Sequence, residues 1–331
     1  MSLKTHKTNT MKNGIEYMTE DNYYRANVQR YHGSPNPRNL SKGAKTVDIA
    51  NLKTADKRNL IDLGNGDYDS KFTIGFEVEK ERLSRGAVKE YPFFCGFERD
   101  SSCGYEAISN IIPCLPAGFW RNKVFSMMHD ARRIIEDQYS PSSYKCGGHI
   151  TIACEGLTGQ EIMDKVRANC GIVYALFRKR LSNYYCKRNL FLQDINQCNQ
   201  PSEVHYNHTQ RYATALVKDN CLEFRLVSRF QSVKQMMRRY ELFYELMDFS
   251  INKPNGSHTA FLKKVYPIIK SMYDGDRERA DEIIDLAKSF RTMIVKKKIN
   301  RKVIDFVDVN RNLDAEKYYD RDLLQNGYRA I

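Results

Sequence analysis

Hydrophobic and polar positions alternate most clearly in the stretch FTIGFEVEK, which runs from residue 72 to residue 80. Successive side chains of a β-strand point to opposite faces, so this period of two predicts a strand with one apolar and one charged face. Phe72, Phe76 and Val78 fall on the apolar face, which we expect to meet the core. Glu77 and Glu79 share the other face, roughly 6.5 Å apart along the strand.

The same patterns predict further strands and helices downstream. Alternating β-branched and aromatic residues predict strands at 91–100, 148–154 and 221–228. Apolar residues that recur three and four positions apart predict helices at 120–138, 158–185, 233–247, 257–273 and 275–294. Thr158, followed three residues later by Glu161, is typical of a capping box at a helix start.

These elements divide the chain into three parts. Residues 1–70 are polar and rich in Asn, Lys, Thr and Gly, which predicts a loosely packed N-terminal arm. Residues 71–250 carry the strands and the first long helices, and residues 251–331 form a C-terminal helical region. The predicted fold class is α+β, with a curved mixed or antiparallel sheet packed on long helices.

Composition narrows the class of protein. The 331 residues are 41% hydrophobic. The sequence contains no run of about 18 apolar residues, so we expect no membrane span. The N-terminus has no apolar segment of the kind found in secretory signals. The nine cysteines are scattered without a C-x-x-C pair, so we expect reduced thiols and a cytoplasmic location.

The formal net charge of +13 favours anionic partners. Nucleic acid, nucleotides and acidic peptides would all be attracted, although a basic surface also serves general solubility. The densest run, at 288–302, is more typical of a solvated helix end than of a nucleic-acid site, and no aromatic-interleaved binding motif accompanies it.

The pair Glu77 and Glu79 has two interpretations. An isolated E-x-E on a solvated strand face needs no special explanation. Alternatively, the two carboxylates remain ionised side by side because cations lie between them. Hard divalent ions such as Mg²⁺ take oxygen ligands of this kind.

Four later stretches bear on this choice. They are DSSCGYEAIS with Ser102 and Glu106, CGGHITI with His149, HTQRYATAL with Arg211, and LEFRLVSR with Glu223 and Arg225. Each is weak alone, because a histidine at a strand start is usually a satisfied polar residue and E-x-R is often a simple ion pair.

Taken together, the stretches predict a single pocket. The strands at 72–79 and 221–228 each have one charged face, and these faces can line the same hollow. Glu106 would join from a loop or a helix start. Four carboxylates, an imidazole and a guanidinium suit metal ions and phosphate.

The order of these motifs resembles the amidoligase family, which belongs to the glutamine synthetase and glutamate–cysteine ligase superfamily and is often found in phage and bacterial gene neighbourhoods. The matching order is G-x-E-x-E, then D-S with a later Glu and IS, then C-G-x-H, an Arg, and E-F-R. The resemblance covers about residues 74 to 229, roughly half of the chain.

The resemblance implies a glutamine synthetase-like catalytic fold and an ATP-dependent carboxylate–amine ligase. Its implied metal ligands, for Mg²⁺ or Mn²⁺, are Glu77, Glu79, Glu106, His149 and Glu223. Its implied nucleotide contacts are Ser102, His149, Arg211 and Arg225, and its implied catalytic residues are Glu106, Arg211 and Arg225. Substrates would be small-molecule, peptide or protein carboxylates and amines, joined through an acyl phosphate.

The chain departs from the family pattern in two places. Thr151 stands where many relatives have a second histidine, and Ser101 replaces the glycine of a D-G-S turn. The alternative function is a non-catalytic nucleic-acid-binding or structural protein of a phage on the same fold. A pure nucleic-acid binder gains nothing from clustered carboxylates, which favours the ligase.

Overall fold

The structure of the protein is a computed structural model. The described residues are 11–12, 15–16, 61, 63, 71–80, 91, 93–100, 104–136, 146–182, 214–218 and 220–296. Strands β1 (Met11–Lys12) and β2 (Ile15–Glu16) form a separate antiparallel pair. The remaining elements form one sheet and a set of helices.

The main sheet is antiparallel at every described pairing. Its strands are β3 (Phe72–Lys80), β4 (Phe94–Asp100), β5 (Gly104–Ser109), β6 (Ile112–Pro113), β7 (Ile150–Cys154), β8 (Ala215–Val217) and β9 (Leu222–Phe224). The order across the sheet is β4-β5-β3-β7-β9-β8, and β6 pairs with the start of β3. An antiparallel sheet with separate helices confirms the α+β class.

Seven α-helices accompany the sheet among the described residues. They are α1 (Phe119–Asp130), α2 (Arg132–Ile135), α3 (Gly159–Val166), α4 (Gly171–Leu176), α5 (Val233–Met247), α6 (His258–Met272) and α7 (Arg277–Lys296). A 3₁₀ turn (Arg178–Ser182) follows α4, and a π-helical turn (Asp248–Asn252) follows α5. None of the described helices combines the length and the apolar character that a membrane crossing requires.

The single long helix predicted over 158–185 is wrong. Its start is as predicted, because Thr158 and Glu161 form the capping box. However, α3 ends at Val166 and α4 begins at Gly171, where α4 meets α7 so closely that a Cβ would collide with the Ala287 carbonyl. The break between α3 and α4 therefore coincides with packing against α7, which the hydrophobic periodicity of the sequence does not show.

One face of the sheet packs on α5. The ring centroids of Phe72 and Tyr244 lie 6.3 Å apart, and those of Phe224 and Phe243 lie 5.1 Å apart. The apolar face predicted for β3 is therefore confirmed, and the charged face points away from this helix. Aromatic pairs at such distances stabilise the fold by more than the burial of their apolar area alone.

Two residues of the predicted N-terminal arm belong to the core. Ile61 and Leu63 are buried, and the Ile61 backbone NH donates to the Ile111 carbonyl at 2.9 Å. Most of residues 1–60 lies outside the described residues. Cys114, Cys146, Cys154, Cys170 and Cys221 are buried thiols outside any disulfide, which fits the prediction of small core residues.

The strand predicted over 221–228 is too long. β9 ends at Phe224, because the backbone NH groups of Arg225 and Leu226 both donate to the Thr214 carbonyl. Two consecutive donors on one acceptor interrupt the regular ladder, which alternates its hydrogen bonds along an antiparallel pair. Arg225 therefore lies just beyond the strand that carries Glu223.

Candidate metal centre

The loop before β7 brings His149 to the charged face of β3. The Glu77 backbone NH donates to the His149 carbonyl at 3.0 Å, which extends the β3–β7 ladder by one residue beyond the strand. The Gly147 backbone NH donates to the Glu79 carboxylate. Both glutamates of the E-x-E pair thus contact the C-G-G-H stretch directly.

Glycine at 148 permits this approach. A Cβ at Gly148 would lie 2.6 Å from the Ser228 carbonyl oxygen and 2.7 Å from the Phe230 ring. The Gly148 NH donates to the Val227 carbonyl at 3.1 Å, so the loop lies directly on the chain that leaves β9. Only a residue without a side chain fits against a neighbouring backbone at this distance.

The sheet register places the other carboxylates. Glu106 lies on β5 directly opposite Glu79 on β3, which corrects the expectation that it joins from a loop or a helix start. Glu223 on β9 lies opposite Thr151 on β7. Strands β5, β3, β7 and β9 are consecutive in the sheet, so residues far apart in sequence become neighbours.

The five predicted metal ligands are brought together and buried. Their exposed fractions are 7% for Glu77, 5% for Glu79, 8% for Glu106, 8% for His149 and 1% for Glu223. These values exclude the interpretation of a solvated pair of like charges. Buried carboxylates need compensating cations, because isolated ions lose several kcal/mol or more of hydration.

His149 lies at the centre of the cluster. Its Nδ1 is 2.6 Å from Glu77 Oε2 and 3.4 Å from Glu223 Oε1, and its Nε2 is 3.1 Å from Glu79 Oε1. Two sets of ligand atoms each lie within 4.8 Å of one another: Glu77, His149 and Glu223 form the first group, and Glu79, Glu106 and His149 form the second group. The two groups share the imidazole.

Two cations hold Glu223. The Nη1 of Arg225 lies 2.6 Å from Oε1, and the Nζ of Lys218 lies 2.5 Å from Oε2. Burial raises the pKa of Glu223, but Lys218 and Arg225 lower it to a net value below the ordinary range. Burial opposes the charge of Arg225, yet Glu223 and the three other carboxylates raise its pKa.

Sequence reasoning missed Lys218 and Arg180. Lys218 lies just after β8, and Arg180 lies in the 3₁₀ turn after α4, where its Nη1 donates to the Cys146 carbonyl at 3.0 Å. The Nη2 of Arg180 and the Oε2 of Glu79 both lie within 3.5 Å of the point that a Gly147 Cβ would occupy. No motif signals either residue, because each comes from an element that only the fold brings to the site.

Two predicted site residues cannot be placed. Ser102 and Arg211 lie outside the described residues, so their roles stay predictions. Arg225 is confirmed as a neighbour of Glu223, with its side chain 20% exposed.

Neither the models of known protein families nor the sequences of curated proteins show a match to this chain.

Proposed function

We propose that this protein is an ATP-dependent and Mg²⁺- or Mn²⁺-dependent carboxylate–amine ligase. The observation that supports it best is the buried imidazole of His149, which has carboxylates on both ring nitrogens and two groups of metal-ligand atoms around it. The proposal includes a glutamine synthetase-like catalytic fold for residues 71–250.

The donor set fits hard divalent cations. Carboxylate oxygens are preferred by Mg²⁺ and Mn²⁺, and imidazole is a common additional ligand for transition metals such as Mn²⁺. A neutral imidazole has one free lone pair, so His149 can be a ligand in only one group at a time. The other group would be completed by its carboxylates and by oxygens of the nucleotide.

Arg225 supports the anionic half of the proposal. Its Nη1 is engaged by Glu223, while its Nε is buried and has no hydrogen-bond partner among the described residues. A guanidinium with an unused donor beside a metal site suits a phosphate or a substrate carboxylate. In this proposal Arg211 and Ser102 add further contacts to the nucleotide.

The reaction follows from these parts. Divalent cations at such a site offset the negative charge that develops during phosphoryl transfer. A substrate carboxylate oxygen forms a bond to the γ-phosphorus of ATP, and the bond to ADP breaks. An amine then attacks the acyl phosphate carbonyl, phosphate leaves with the bond electrons, and the amine loses a proton to give the amide. Arg225 would hold the anion in line for this attack.

The net charge of +13 favours the alternative, a non-catalytic nucleic-acid-binding or structural protein on the same fold. That function makes no use of four carboxylates withdrawn from solvent around an imidazole. Binding to DNA that weakens steeply with salt, together with no Mn²⁺ binding, would favour the alternative.

The direct test is Mn²⁺ binding, followed by nucleotide turnover. We expect wild-type protein to bind Mn²⁺, and Glu77→Ala and Glu223→Ala each to lose the ion of the first group. Glu282→Ala is the matched control. Glu282 lies on α7, is exposed and pairs with Arg178. ADP formation should then rise with a suitable carboxylate and amine. Mn²⁺ binding with wild-type affinity and wild-type stoichiometry in both variants would contradict the metal site.

A further inference from the structure

Lys218 reaches into the metal centre from the residue directly after β8. Its backbone NH donates to the Cys221 carbonyl at 2.9 Å, and its own carbonyl lies so close to Gly159 of α3 that no Cβ would fit there. The backbone of Lys218 is thus in contact on both its NH and its carbonyl side, whereas its side chain is a four-carbon stem with several rotatable bonds. The side chain is 14% exposed, against 1% for that of Glu223.

The ammonium of Lys218 interacts with the two carboxylates of the first group of metal ligands. Its Nζ contacts Oε2 of Glu223, whose other oxygen is held by Arg225, and the charge of Glu77 also acts on it. Glu77 and Glu223 are the two carboxylates that join His149 in that group. A divalent ion bound there would compete with Lys218 for Glu223.

We propose that Lys218 is a built-in counter-cation that neutralises the first group until a divalent ion displaces it. This inference depends on the metal site of the proposed function and adds a residue that controls its occupancy. An ammonium suits this role because it is a compact point charge on a stem with several rotatable bonds. The guanidinium of Arg225 is planar and its donors have fixed directions, so it is less suited to moving aside. The side chain of Lys218 is 14% exposed, so part of it already borders solvent.

The test compares Mn²⁺ binding by wild type and Lys218→Met, which keeps much of the stem and removes the charge. We expect Lys218→Met to bind Mn²⁺ about tenfold more tightly or better, because a competing positive charge is gone. Lys234→Met is the matched control, since Lys234 pairs with Asp274 at 2.9 Å on the exposed side of α5. Its Mn²⁺ affinity should equal that of wild type.

A thermal measurement separates competition from simple support of the fold. In EDTA, Lys218→Met should melt below wild type, because Glu223 loses a buried partner. Saturating Mn²⁺ should then raise the melting temperature of Lys218→Met by more than that of wild type. If Lys218 only supports the fold, the melting temperature of Lys218→Met should lie below that of wild type by the same amount in EDTA and in Mn²⁺.

The outcomes distinguish this inference from the proposed function. If neither wild type nor Lys218→Met binds Mn²⁺, both are wrong. If wild type binds Mn²⁺ and Lys218→Met binds equally or more weakly, the counter-cation role alone is wrong. Tighter binding by Lys218→Met than by a wild type that also binds supports it, whereas binding by this variant alone would mean that the ion does not displace Lys218 and would contradict the inference.

Discussion

The Nδ1 of His149 lies 2.6 Å from Oε2 of Glu77, although 72 residues separate them in the chain. The antiparallel ladder between β3 and β7 produces this contact, and Nε2 of the same ring lies 3.1 Å from Glu79. A neutral imidazole can donate from only one nitrogen, so it cannot satisfy both carboxylates by itself. A bound cation, or a proton on the second nitrogen, completes the arrangement.

His149→Gln should therefore weaken the binding of one Mn²⁺ ion by about tenfold or more, since whichever group the imidazole completes loses that ligand. The measurement is a Mn²⁺ titration followed by electron paramagnetic resonance. His129→Gln, on the exposed side of α1 near its end, is the control and should bind as wild type does. Unchanged affinity in His149→Gln would show that the ring is not a ligand.

The two groups can be separated by single substitutions. Glu77→Gln removes a ligand of the first group only, and Glu106→Gln removes a ligand of the second group only. We expect each variant to retain one Mn²⁺ ion where wild type binds two, as measured by calorimetric stoichiometry. Wild-type stoichiometry in either variant would contradict the assignment of that group.

Arg239 binds the segment after β9, against which the His149 loop packs. It is 1% exposed, its Nη2 donates to Ser228 Oγ at 2.8 Å, and its guanidinium lies 4.8 Å from the Phe230 ring centroid. Arg239→Met leaves buried acceptors on Ser228 unpaired, so we expect a loss of about 3 kcal/mol in the free energy of unfolding.

Urea unfolding measures this loss, and the neighbouring Arg238→Met is its control. Arg238 is partly exposed and pairs with Glu241 one helical turn away, an interaction that contributes about 0.5 kcal/mol or less. Equal destabilisation of both variants would mean that Arg239 is no more important than a surface arginine.

His258 should make stability depend on pH. Its Nδ1 donates to Asn169 Oδ1 at 3.0 Å, and its buried Nε2 has no partner among the described residues. Burial, followed by the charges of Arg291 and Lys288, lowers the pKa of His258 from 6.5 to about 4. The unfolded state therefore takes up a proton first as the pH falls.

The stabilising contribution of His258 is present above pH 6.5 and is lost as the pH falls toward 4. His258→Gln keeps a donor for Asn169 and removes the titration. We expect the urea midpoint of this variant to fall less between pH 7 and pH 5 than that of wild type. An identical fall in both proteins would remove His258 as the cause.

The local pattern of the sequence predicted much of the fold. The alternation at 72–80 is β3, the period of 3.6 at 233–247 is α5, and Thr158 caps α3. These features depend on neighbouring residues and on which face is apolar, so one sequence is sufficient to show them. The break between α3 and α4 was not predicted, because it accompanies packing against α7.

The sequence by itself determined the chemical types at the candidate site: Glu77 and Glu79 on one strand face, His149 after two glycines, and Glu223 beside Arg225. Only the tertiary structure decided that these residues meet, that Glu106 joins from a strand, and that Lys218 and Arg180 are included. The physical reason is that alternation sets the face of each strand, whereas the register and order of β5, β3, β7 and β9 set its neighbours. That order depends on long-range pairing, which no local pattern contains.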